Sequence, residues 1–300
     1  MTFTAPPYRD LGSSPVTPVS PPRLWTLALA VVAALVATLV GLGGTMAVFV
    51  GVFVVRIVRA GGRPPSALAI GRMVQDFSLT APGVLASGLV SVLVFGGVAA
   101  LGGVLSPRGA RARLRLDASP RWGLVGLAAL GVLVGVGMVS SQVAVALGLS
   151  EQGTLPMLRR AFAHMTPPVF VLAVLIVGVG AGVGEELFFR GYLLTRLEER
   201  VRPWLAIVAV SFAFGLAHYD PVHSTFAFVI GLGQGWTTRR SGSVRPAVLA
   251  HVVNNVIGVV GMSLGGDAPD TWSRLELGGG VALALAGLAG VWFATRDHAD

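Results

Sequence analysis

The chain has no cysteine, no lysine and only two asparagines among its 300 residues. Without cysteine it can form no disulfide, bind no metal through thiolate and use no cysteine nucleophile. Without lysine, the whole basic excess behind a formal net charge of +8 is arginine. A basic groove interleaved with aromatic residues is also missing, so nucleic acid is not an expected partner. Charge of either sign is scarce, at 12% of residues, about half of what a soluble domain carries.

Apolar residues fill the space that charge leaves. Hydrophobic residues make up 54% of the chain and the mean hydropathy is +0.77, which puts it in the membrane class. Residues 1–23 stand apart. Pro6, Pro7, Pro15, Pro18, Pro21 and Pro22 among serine and threonine read as a disordered cytoplasmic tail. The apolar run that follows is too long for a signal-peptide core, so a retained first span is expected.

Apolar segments bounded by charge or Pro/Gly breaks fall at Leu24 to Val55, Pro82 to Leu105, Trp122 to Leu149, Pro168 to Leu194, Trp204 to Ala217, Thr225 to Thr237, Ala247 to Leu264 and Leu277 to Ala294. The expected fold class is therefore all-α, a polytopic membrane protein of about eight transmembrane helices. Gly41, Gly43 and Gly44 are candidates for a bend in the long first segment. The fifth and sixth are short, and the hairpin around Tyr219 to Ser224 is expected to be irregular and enclosed by protein. All six tryptophans lie near segment ends, where an amphipathic ring favours the interface. Glu151 to Met165 carries Leu155, Leu158, Phe162 and Met165 at helical spacing, which suits a helix on the membrane surface and an ordinary connecting helix equally.

With the N-terminus inside, 14 arginines fall on the cytoplasmic side and 7 on the other, and Arg190 is left within a helix. That bias favours both termini inside, in a bacterial cytoplasmic membrane.

Polar residues within the apolar segments are few enough to name. Every aspartate lies in a loop or tail, and of six glutamates only Glu185 and Glu186 sit inside an apolar run. His218 and His251 lie in or at the end of one, and both asparagines, Asn254 and Asn255, share a helix with His251. Ionisable groups at membrane depth are costly, so their gathering on the fourth, fifth and seventh segments marks a candidate functional site. Glu186 and Arg190 are four apart and can pair, whereas Glu185 points about 100° away. His251 and Asn255 share a face, as do Phe214 and His218. From the segment ends, depths of roughly 16 Å for Glu185, 22 Å for His218 and 8 to 15 Å for His251 and Asn255 allow the four to meet near mid-membrane.

These residues stand in three runs: Glu185-Glu186-Leu187-Phe188-Phe189-Arg190-Gly191, Phe214-Gly215-Leu216-Ala217-His218 and His251-Val252-Val253-Asn254-Asn255. In order and spacing they resemble the E-E-x-x-x-R, F-x-x-x-H and H-x-x-x-N motifs of the CAAX prenyl protease type II family, also called CPBP or ABI, of intramembrane proteases. The resemblance covers residues 166–264, which it marks as the core. Residues 24–165 become N-terminal transmembrane helices and loops, and 265–300 a last transmembrane helix and tail.

The family resemblance implies an intramembrane endopeptidase acting on membrane-associated or lipidated proteins or peptides. Glu185 and His218 would activate water, and His251 and Asn255 would offer hydrogen bonds to the oxyanion. Glu186 and Arg190 would orient the site, and Phe214 would pack beneath it. Glu185, His218 and His251 are also a zinc-type donor set, so the cofactor is zinc or none. The alternatives are a membrane transporter, for which no repeated halves are evident, and a non-catalytic scaffold or immunity-type protein using the same fold. No H-E-x-x-H and no intrahelical aspartate pair is present. The G-x-S-x-G at Gly261 to Gly265 ends a helix and lacks the strand–turn–helix context that gives that motif meaning.

Overall fold

A computed structural model describes residues 24–163, 165–265 and 271–296. The Pro-rich tail 1–23, with Arg9 and Arg23, and the end 297–300 lie outside the described residues. Among those described the fold is entirely helical. In chain order the helices are α1 (Leu24–Arg59), α2 (Ala67–Ser78), α3 (Ala81–Val104), α4 (Gly109–Arg113), α5 (Trp122–Ala146), α6 (Thr154–Phe162), α7 (Pro167–Glu198), α8 (Pro203–Leu216), α9 (Pro221–Ser241), α10 (Arg245–Gly265) and α11 (Arg274–Thr295).

Each of the eight apolar segments forms a helix, and α1, α3, α5, α7, α10 and α11 are long and apolar enough to cross a membrane. Their outward faces carry large exposed hydrophobic side chains such as Leu39, Leu93 and Leu285, an arrangement suited to lipid and hostile to water. The chain is an integral, multi-pass membrane protein. α8 has only 14 residues, roughly 21 Å at helical rise. α9 reaches 21 residues by extending at both ends into polar sequence. Of the expected eight spans, six are long and apolar enough to cross; the α8–α9 hairpin is not enclosed by protein as expected, since Trp204, Phe212, Leu216 and Tyr219 are exposed on its outer side. α1 runs unbroken through Gly41, Gly43 and Gly44.

Local sequence sets the helix starts. Thr80, Asp220 and Ser273 accept hydrogen bonds from the backbone amides of Gly83, His223 and Glu276, capping α3, α9 and α11, and prolines open α7, α8 and α9 where no amide partner is needed. The turn into α9 passes through Tyr219 at φ +55°. α2 was not expected from the sequence; none of its residues is buried, and Phe77 stacks on Phe49 of α1 at 3.9 Å between ring centroids. α6 realises the amphipathic stretch, with Phe162 buried among Leu85, Ala173 and Val259, and Leu158 and Met165 packed beside it. Its apolar face rests on protein, the connecting-helix alternative.

The tightest contact is between α5 and α11. A Cβ added at Gly287 would lie 2.6 Å from both the carbonyl oxygen of Ala128 and the amide nitrogen of Val132, so only glycine permits this backbone approach. A second core, around Phe188, Phe189, Leu194, Val210 and Phe214, joins α7 to α8. At one end of the bundle arginines clasp the end of α7: Arg108, Arg113 and Arg196 meet Glu199, and Arg115 and Arg239 meet Glu198.

Candidate active site

α7 is not a uniform α-helix. Residues Val174–Ala181 and Leu187–Leu194 form wide i→i+5 π turns on either side of one ordinary α stretch, Gly182–Glu186. Such turns change the angular spacing of side chains, and they occur preferentially at functional positions. α10 crosses this stretch closely. A Cβ at Gly182 would stand 3.0 Å from the backbone of Val252, so the missing side chain lets α10 bring its histidine against the two glutamates of α7.

Glu186 is fully buried. Its Oε1 accepts from Arg190 Nη1 at 2.8 Å and from His251 Nδ1 at 2.8 Å. The guanidinium of Arg190, equally buried, lies over the ring of Phe214 at 4.2 Å and donates to the carbonyl of Gly231. The i,i+4 pairing expected from the sequence is present. The bond to His251 links residues 65 apart and has no local sequence signal.

Glu185 faces a different direction, as the 100° rotation requires, and lines a cavity of about 840 Å³. His218, His251, Asn254 and Asn255 line the same cavity. Glu185 Oε2 stands 3.9 Å from His251 Nε2. Because a carboxylate only accepts, His251 carries a proton on Nδ1 toward Glu186, and its Nε2 faces Glu185.

His218 Nδ1 donates to the carbonyl of Phe214 at 2.9 Å, so by the same reasoning its Nε2 is the free acceptor. The Phe214 ring lies edge-on to both imidazoles, at centroid distances of 5.0 Å to His218 and 5.9 Å to His251. Asn255 Nδ2 donates to the carbonyl of Val177 at 3.2 Å, in the first π stretch. Asn254 Nδ2 reaches Asn255 Oδ1 at 3.5 Å.

Among the described residues no three His, Asp or Glu side chains stand close enough to share a metal ion. The expected set of Glu185, His218 and His251 does not converge on one point in this arrangement, and His251 Nδ1 is engaged with Glu186.

Two contributors escaped sequence reasoning. His223 lies outside the apolar core of its segment, yet its ring sits 4.3 Å from that of His218 between centroids, and it lines the cavity. Its signal was the capping aspartate: Asp220 accepts from the amides of both His223 and Thr154, which aligns the starts of α9 and α6. The fully buried Gln234 donates to the carbonyl of Ala247 at 2.9 Å, joining α9 to α10.

Fold and site together define a membrane-embedded helix bundle with a carboxylate–imidazole centre open to an internal cavity. Comparison with known families narrows the class: residues 167–257 match the family model described as Type II CAAX prenyl endopeptidase Rce1-like. The matched stretch runs from the first residue of α7 into α10 and contains all three motifs, in agreement with the resemblance they carry. Searches of curated proteins and of solved structures returned no match.

Proposed function

We propose that this protein is an intramembrane endopeptidase that hydrolyses a peptide bond of a membrane-anchored protein or peptide with water activated by Glu185. One observation carries the reading. Glu185 Oε2 and His251 Nε2 face the same cavity 3.9 Å apart, while the far side of His251 is held by Glu186, itself paired with Arg190. The family match over this segment supports the same reaction class.

In this reading Glu185 takes a proton from water as its oxygen attacks the peptide carbonyl carbon. His218, with a free Nε2, holds that water by accepting its second hydrogen. The proton taken by Glu185 passes to the departing amine as the C–N bond breaks, leaving a carboxylic acid and a new amino terminus. Asn255 spends one amide hydrogen on Val177 and keeps the other for the oxyanion. His251, anchored through Nδ1 on Glu186, turns its Nε2 into the same cavity. The apolar cavity wall suits a substrate delivered from the bilayer. The zinc alternative would need Glu185, His218 and His251 to converge on one ion, which they do not do in this arrangement.

The test is cleavage of a membrane-anchored peptide by purified protein. Glu185→Gln keeps the shape and removes the base, and turnover is expected to fall by about 10²–10⁴-fold. Turnover equal to that of the parent chain would sink the assignment. Metal analysis and chelator treatment of active protein decide the zinc question, since full activity without bound metal removes that version.

A further inference from the structure

A second cavity of about 260 Å³ adjoins the first. Ser78, Leu79, Thr154 and Met157 line this cavity alone, whereas Val84, Ser87, Leu158, His218 and His223 line both. We propose, resting on the endopeptidase reading, that this smaller cavity is the inlet for the hydrolytic water, separate from the cavity that takes the peptide, and that His223 is the positioning residue at its inner end.

Location is the first support. The rim comes from the α2–α3 turn and the start of α6, neither of which belongs to a membrane-crossing helix, and Leu79 and Met157 are 37% and 38% exposed there. The inner wall reaches His218 and His223, which also line the larger cavity that holds Glu185. The smaller cavity thus offers water a route from the membrane surface to the edge of the chamber that holds Glu185, apart from the route by which a substrate would fill that chamber.

Chemistry is the second support. An ordered water needs two to four polar partners, and although the wall of this cavity is mostly apolar, like that of the larger one, Ser87, Thr154, His218 and His223 stand on it. Ser87 Oγ donates to the carbonyl of Gly83 at 3.0 Å and keeps its lone pairs. His223 Nδ1 is 3.2 Å from Thr154 Oγ1, which leaves Nε2 for water, and its ring lies against that of His218. Asp220 fixes both ends of that contact by accepting from the amides of Thr154 and His223. His223 therefore closes a frame of α6 and α9 around the point where the two cavities meet.

The chain has no cysteine, so Ser87→Cys introduces its single thiol at that junction. A small water-soluble methanethiosulfonate reagent is expected to label it. Adding Leu79→Trp at the rim should slow labelling about tenfold, and Leu149→Trp, on the wall of the larger cavity only, should not. With Ser87 retained, Leu79→Trp should lower kcat about tenfold and leave KM for the peptide unchanged, as expected when water rather than substrate is obstructed. Leu79→Ala, which opens the rim, should label at least as fast as its parent and keep its kcat, separating obstruction from misfolding.

Labelling or kcat indifferent to Leu79→Trp would overturn the inlet, as would labelling slowed equally by Leu149→Trp. His223→Phe keeps a ring against His218 but loses the bond to Thr154, and it should lower kcat with KM unchanged; an unaltered kcat removes His223 from the frame. A parent chain that cleaves no peptide defeats the endopeptidase reading itself. An active parent insensitive to Leu79→Trp defeats the inlet alone.

Discussion

Glu186 holds two donors, Arg190 and His251, on one oxygen in a site closed to solvent. Removing one partner of a buried ion pair leaves a desolvated charge uncompensated, at a cost of about 3–5 kcal/mol. Glu186→Gln should therefore lower the thermal unfolding midpoint in detergent by several degrees as well as reduce turnover, whereas Glu185→Gln should reduce turnover with little change in the midpoint. Equal midpoints for the two variants would contradict the division of labour between adjacent glutamates. Asn255→Leu removes the bond to the Val177 carbonyl and should cost about 1–3 kcal/mol of stability, readable by the same melt.

Elements explain why the pairings form. α5 and α11 meet through backbone at Gly287, where a methyl group would overlap Ala128 and Val132 main-chain atoms. Gly287→Ala must push the helices apart, and a loss of about 1–3 kcal/mol is expected from overpacking, with no direct effect on the site because Glu185 lies on α7. A melt midpoint unchanged from the parent would show that this contact is looser than described.

At this scale the sequence was informative where chemistry is local. Apolar runs delimited the helices, and the four-residue spacing of Glu186 and Arg190 announced their pair. The His251–Glu186 bond was illegible because it depends on how α10 crosses α7, which a single sequence does not encode locally. The π turns were invisible for a related reason: helical periodicity assumes 3.6 residues per turn, and the turns alter it within one apolar run. α2 escaped because its twelve residues are too polar on average to stand out beside the spans, and His223 because it begins a helix whose polar end read as loop.

The whole molecule has one arginine-rich end. Arg113 is almost entirely buried and donates to both Ser106 and Glu199, binding the 105–121 segment to the end of α7. Glu199→Gln should loosen that segment and expose it to limited proteolysis; a digestion pattern identical to the parent would count against the clasp. The arginine bias further predicts that this end faces the cytoplasm. A single cysteine replacing exposed Arg111 should resist a membrane-impermeant thiol reagent in intact cells and react after permeabilisation. Labelling in intact cells would invert the topology, and with it the membrane face on which the α2–α6 rim opens.

The bond from Asn255 to α7 ends on a main-chain oxygen, an atom that every amino acid supplies. Position 177 is thus free to drift among apolar residues of suitable size without costing Asn255 its anchor, whereas position 255 has no such latitude. In a deep mutational scan the two ends of this one contact should behave oppositely, with broad tolerance at Val177 and near-invariance at Asn255. Contacts made to backbone let the candidate site persist while the lipid-facing and packing residues around it are exchanged.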